Sequence, residues 1–161
     1  MGIRIKKIII DNFKSYDKKT EISISDLSVL MGANSSGKST ALQTLLAIKQ
    51  TMECNSPDID LLLSGKYVTL GDFDDVINDT TRDDIGFGLI VDGEDRREDY
   101  GDDSIEVMWH FSKGKDIILD LLEFCVSDNN ICLKKSGEKH IYTIFVNEKR
   151  TALSIELYNL V

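Results

Sequence analysis

Gly32-Ala33-Asn34-Ser35-Ser36-Gly37-Lys38-Ser39-Thr40 places four free positions between a glycine and a Gly-Lys-Ser triplet, the spacing of a loop that grips phosphate. The residues on either side fit that reading. Before it, Leu27 to Met31 (Leu-Ser-Val-Leu-Met) reads as a short buried strand. After it, Lys38 to Met52 reads as a helix in which Leu42, Leu45, Leu46 and Lys49 recur three to four apart. Strand, glycine loop and helix follow in the order such a loop requires.

Physically the motif matches an anion to an array of donors. Glycines at 32 and 37 permit backbone angles that a side chain would forbid, so the N–H groups from Asn34 to Ser39 are expected to turn inward as a concave nest. Lys38 is expected to set its ammonium against the β- and γ-phosphates at the positive end of the new helix, and Ser39 to ligate Mg2+ through its hydroxyl. Thr40 backs the α-phosphate in this reading. The plain alternative is a loop whose Ser35 or Ser36 caps a helix, which explains neither the second glycine nor the lysine.

The composition is that of one globular domain: 161 residues, 42% apolar, net charge −9. Three cysteines, Cys54, Cys125 and Cys132, lack metal-ligand spacing and suit a reducing compartment, with Cys125 and Cys132 placed to face each other across a hairpin. No apolar run approaches the roughly 20 residues that span a bilayer, and the N-terminus lacks the design of a secretory leader. The expectation is a cytoplasmic protein without membrane contact. Charge is uneven: residues 1–19 hold six basic side chains against two acidic ones, net +4, whereas residues 72–106 hold fourteen acids and three arginines, net −11. The acidic balance argues against nucleic-acid binding over the whole surface.

Ile3 to Ile10 and Thr20 to Ile24 read as paired antiparallel strands around a turn at Phe13 to Lys18. Beyond the lone proline, Pro57, a helical turn is expected over Asp58 to Leu63, an extended piece over Gly65 to Gly71, a brief helix capped by Asp72 and running through Ile77, and a strand from Ile85 to Val91. Asp92 to Asp103 reads as an acidic surface loop. From Ser104 onward, Ile105 to Phe111, Ile117 to Val126, Ile131 to Lys135, His140 to Val146 and Ala152 to Leu160 read as an antiparallel meander of five strands. His110 and His140 fall in these runs as structural residues.

Ile8-Ile9-Ile10-Asp11-Asn12-Phe13-Lys14-Ser15-Tyr16, then Val29-Leu30-Met31 and the Gly32 to Thr40 loop, resembles the N-terminus of ABC-type ATPase heads of the SMC, RecF and OLD-like group, often catalogued as AAA ATPases. The string Leu61 to Phe73 is similar to bacterial members, some of which act in phage defence. The resemblance implies an α/β (α+β) P-loop fold, with an ABC-type N-terminal lobe made of a mixed sheet and an antiparallel meander. It implies ATP and Mg2+ as cofactors, Lys14 and Ser15 near the adenosine or phosphates, and Asn34 beside the γ-phosphate. It also implies a second ATPase head as partner, as a homodimer or as a C-terminal half in trans, serving DNA or an effector nuclease.

Hydrolysis in that group needs an apolar strand ending in Asp-Glu. Asp11, Asp92 and Asp120 each end an apolar run, yet none is followed by Glu, so all three read as ordinary strand ends. Leu63-Ser64-Gly65-Lys66 lacks the second glycine and the glutamine of a signature loop, and Gln50 is expected to face solvent. The catalytic residues are therefore unknown. The chain reads as a single N-terminal ATP-binding lobe over 1–161, truncated or split, with strands, loop and helix in 1–53, a connecting segment in 54–103 and antiparallel strands in 104–161. The competing reading is a nucleotide-responsive interaction module that binds without hydrolysing. A GTPase lacks support, since Asn147-Glu148-Lys149-Arg150 does not fit a guanine-reading segment.

Overall fold

The computed structural model describes residues 3–54, 56, 59–93, 104–126, 129–136 and 140–156. Eight strands form one sheet: β1 (Ile3–Asp11), β2 (Thr20–Ser23), β3 (Asp84–Gly93), β4 (Ile105–Lys113), β5 (Ile117–Val126), β6 (Asn129–Lys135), β7 (Ile141–Val146) and β8 (Lys149–Glu156). Their spatial order is β2-β1-β3-β4-β5-β6-β7-β8, and every described pairing is antiparallel. Among the described residues two helices accompany them, α1 (Lys38–Glu53) and the single turn α2 (Phe73–Val76).

Alternation decides which face of the sheet is covered. Ile8, Ile10, Ile85, Phe87 and Phe111 point to one side, where they meet Ala41, Ala47 and Ile48 of α1 and Phe73 and Val76 of α2. Phe87 stands edge-on to Phe13, ring centroids 4.9 Å apart. On the other side Met108 lies across Gly86 and Gly88 toward Ile9; a Cβ at either glycine would come within 2.7 Å of the Met108 side chain. Ile9 is fully buried there. Both faces of the Ile8-Ile9-Ile10 run are thus covered, as its unbroken apolar character requires.

The meander follows the expected strands through β7, including the hairpins β4-β5 and β5-β6; its last strand, β8, begins at Lys149, three residues before the expected Ala152, because Asn147 and Glu148, both left-handed, make the turn, and the expected run beyond Glu156 lies outside the described residues. Its register corrects one detail. Cys132 pairs with Glu123 and Cys125 with Asn130, so the two thiols are diagonal neighbours on one face and not opposed across the hairpin; all three cysteines are unbridged. His140 precedes β7 with a left-handed φ of 63° and is buried.

Two further expectations fail, each through where the backbone hydrogen bonds go. Leu27 to Met31 forms no strand: Leu27, Val29 and Met31 are 83%, 72% and 86% exposed, and no described strand lies beside them. Without a partner to take up its N–H and C=O groups, the segment gains nothing from a strand conformation, and among the described residues the sheet is antiparallel throughout where a mixed one was expected. The helical turn expected over Asp58 to Leu63 is also missing among its described residues, 59–63. There Leu61 and Leu63 are both buried, and the intervening Leu62 gives its N–H to Thr51 Oγ1 (2.9 Å) and accepts at its carbonyl from Gln50 Nε2 (2.6 Å). Side chains of α1 thus replace the hydrogen bonds a helix would have made.

Downstream, Gly65 to Gly71 closes as a narrow turn through the Ser64–Thr69 bridge, and α2 starts where expected, with the Asp75 carboxylate accepting the Asp72 N–H at 2.8 Å. The acidic loop from Asp92 lies mostly outside the described residues. No helix among the described residues is long and apolar enough to cross a membrane.

Candidate nucleotide site

The glycine loop leads straight into α1. Gly37 is the N-cap residue, in the left-handed region at φ 87°, and no side chain caps the helix. The serine-capping alternative therefore fails: neither Ser35 nor Ser36 serves α1. A left-handed N-cap without a side chain leaves the amides of the first turn, from Lys38 to Thr40, without intrahelical acceptors and open on the loop side. The first turn also contains no acidic residue, so no carboxylate of the helix's own first turn competes with an anion for its terminus.

Within the loop, Ser36 N–H closes a turn onto Ala33 O at 3.3 Å, with Ser35 left-handed at φ 63° between them. Lys38 curls back over this turn. Its ammonium donates to Gly32 O at 2.8 Å, to Ala33 O, and to Ser36 Oγ at 3.4 Å. A Cβ at Gly32 would stand 2.7 Å from Ser36 Oγ, so any larger residue there would push against the Ser36 side chain. Ser39 is exposed at the helix start; Thr40 is buried, its carbonyl accepting from Thr44 Oγ1 at 3.0 Å. Asn34 and Ser35 are exposed.

The turn after β1 packs beside the loop. Ser15 Oγ donates to Ser35 O at 3.3 Å and Tyr16 Oη to Gly37 O at 3.2 Å. Lys14 is half-buried, left-handed at φ 51°, and tied by its N–H to Val76 O at 2.6 Å. Tyr16 has no part in the sequence reading; a second aromatic beside Phe13 in a turn whose other residues are polar is the signal that marks it.

α1 presents its faces differently from the expected pattern. Its buried positions are Thr40, Ala41, Thr44, Ala47, Ile48, Gln50 and Thr51, while Leu42 is 58% exposed. Small residues face the sheet because they allow close approach, and the leucine stripe lies on the flank. Gln50, expected in solvent, is 3% exposed: besides donating to Leu62 O, its Oε1 accepts from the N–H groups of Tyr67 (3.3 Å) and Val68 (3.1 Å). It is a structural clamp on the 62–68 segment, occupied on both ends of its amide.

Of the aspartates that end apolar runs, Asp11 is buried and held by Arg82 through two hydrogen bonds, 2.7 and 3.0 Å, and Arg82 also grips Asp84. These two carboxylates push the Arg82 guanidinium further up from its already high range. Asp92 pairs with Lys6 at 3.2 Å, and Asp120 is exposed. Among the described residues no group of three or more histidine, cysteine and carboxylate side chains could hold a metal ion.

A glycine loop, a helix terminus without a side-chain cap or an acid in its first turn, and a lysine folded back over the loop fit a protein of the nucleotide-binding class built on an α+β frame. The chain belongs to the AAA ATPase domain family, whose model matches residues 3–160. Nucleotide binding with ATPase function is the general property of that family. No curated protein and no solved structure matches the chain.

Proposed function

We propose that the chain binds magnesium–ATP through Gly32 to Thr40 as the nucleotide-binding lobe of an ABC-type ATPase of the SMC/RecF/OLD-like group. The observation that carries this is the junction at Gly37, where a left-handed, uncapped helix start faces the Lys38 ammonium across the loop. In this reading a triphosphate takes the place of the Gly32 and Ala33 carbonyls as partner of Lys38, Ser39 ligates magnesium, Thr40 backs the α-phosphate, and Lys14 and Ser15 border the site.

Hydrolysis, on the same proposal, uses an Asp-Glu strand and a signature loop supplied by a second head, a further copy or a C-terminal half in trans. Support comes from the bare apolar segment at Leu27, Val29 and Met31, which leads into the phosphate loop, and from Leu42 on the nearby helix. A DNA-directed or phage-defence output, through DNA or an effector nuclease, rests on family likeness alone. The test is turnover: magnesium–ATP hydrolysis should be absent from the chain alone and appear when a chain carrying the Asp-Glu strand and signature loop is added. Bound ATP with no turnover in that mixture would favour a binding-only interaction module instead.

A further inference from the structure

The turn that follows β1 is fixed on one side and pressed against the phosphate loop on the other. Its base is rigid. Asn12, fully buried and left-handed at φ 50°, accepts from Asp79 N–H at 2.6 Å and donates to Asp84 O at 2.7 Å. Lys14 is tied to Val76 by its N–H and accepts at its carbonyl from the Asn78 side chain. Phe13 and Tyr16 then close the turn with paired backbone bonds of 2.9 and 3.0 Å. From this base the Tyr16 ring reaches Gly37, whose Cβ, if it had one, would lie 3.0 Å from two ring carbons.

The hydroxyl contact carries the consequence. Tyr16 Oη donates to Gly37 O, which also accepts the first helical bond of α1 from Ala41 N–H at 3.2 Å. A trans peptide points its N–H opposite its C=O. Two donors holding Gly37 O on the helix side therefore aim the Lys38 N–H to the loop side, where a phosphate nest needs it. Ser15 holds the Ser35 carbonyl in the same manner. Burial pushes the Tyr16 phenol up from a range already well above neutral pH, which keeps it protonated and able to donate.

We propose that Tyr16 is a positioning residue for the phosphate site: it sets the Gly37–Lys38 peptide plane, and through it triphosphate affinity, without touching the nucleoside. The inference rests on the nucleotide-binding reading above and adds a residue that acts from behind the loop.

The experiment is calorimetry on the 161-residue chain with two probes, magnesium–ATP and magnesium–tripolyphosphate, well below the unfolding midpoint of each variant. Tyr16→Phe keeps the ring on Gly37 and removes one hydrogen bond, so affinity should fall about three- to tenfold for both probes alike. Tyr16→Ala should fall further, again equally for both. A side chain that serves stability alone would lower the unfolding midpoint and leave the affinity of the folded protein unchanged. Wild-type affinity in Tyr16→Phe, or a loss confined to ATP, would overturn the proposal; the latter would mean a contact with the nucleoside. Lys38→Ala separates the two levels. If it matches a wild type that binds neither probe, the nucleotide reading itself fails; if it loses binding while Tyr16→Phe does not, only the positioning role fails.

Discussion

Gly37 concentrates most of what the loop needs in one residue. Its φ of 87° excludes an L side chain at a cost of about 1–2 kcal/mol, and the Tyr16 ring occupies the space a methyl group would enter. Gly37→Ala should therefore destabilise the fold by about 1–3 kcal/mol in chemical denaturation and weaken nucleotide binding beyond that; an alanine variant as stable as wild type would show that the left-handed start is dispensable. That Gly37 matters was legible in the sequence, because the second glycine of the motif has no other use. The part played by Gln50 was not. A glutamine in a helical pattern reads as solvent-facing, and only a neighbouring segment short of backbone partners, residues 62–68, makes burying its amide favourable. Long-range satisfaction of this kind leaves no local trace in a sequence.

Among the elements, the meander strands were readable from alternation and turn residues because each pairs with its sequence neighbour. Leu27 to Met31 was misread because its strand character depends on a partner that no described strand provides. Exposed, it contributes little to the fold of this chain. Leu27→Ser with Met31→Gln should accordingly leave the unfolding free energy from chemical denaturation within about 0.5 kcal/mol of wild type, while abolishing activation by a complementing head. A large loss of stability would show that these side chains are packed in solution and that the docking proposal is misplaced. A second element-level feature is the irregularity between β4 and β5, where His110 pairs with Leu121 and Phe111 with Leu119. The extra residue, Asp120, offsets the ladder, and Leu119 is secured from outside the pair: its N–H by Asp60 Oδ2 and its carbonyl by Tyr142 Oη, both at 3.0 Å. Burial first, then the nearby Asp60 and Asp120 charges, push the Tyr142 phenol well above its ordinary value. A phenol raised on folding contributes stability that is complete below the unfolded value near about pH 10 and is lost as pH climbs toward the folded one. Stability should thus fall steeply above about pH 10 in the wild type. Tyr142→Phe should cost about 1 kcal/mol at neutral pH and flatten that alkaline limb; an unchanged limb would assign the alkaline loss to other groups.

At the scale of the whole molecule, the cationic N-terminal stretch is not an open basic surface. Arg4 pairs with Asp26, Lys6 with Asp92, Lys7 with Glu21 and Lys19 with Glu106, so four of its six basic side chains each face a carboxylate. What the molecule presents is an eight-stranded antiparallel sheet, a helix laid on one face by its small residues, and a glycine loop at that helix's start braced by the turn after β1. Its family membership and that loop converge on ATP. The most direct measurement is calorimetric titration of magnesium–ATP into the wild-type chain and into Lys38→Ala, with both shown to be folded. Saturable one-to-one binding by the wild type and a loss of at least about tenfold in the variant, on the order of a charge-assisted hydrogen bond, is the predicted result. Equal affinity in the two proteins would contradict the assignment of the phosphate site to Gly32 to Thr40.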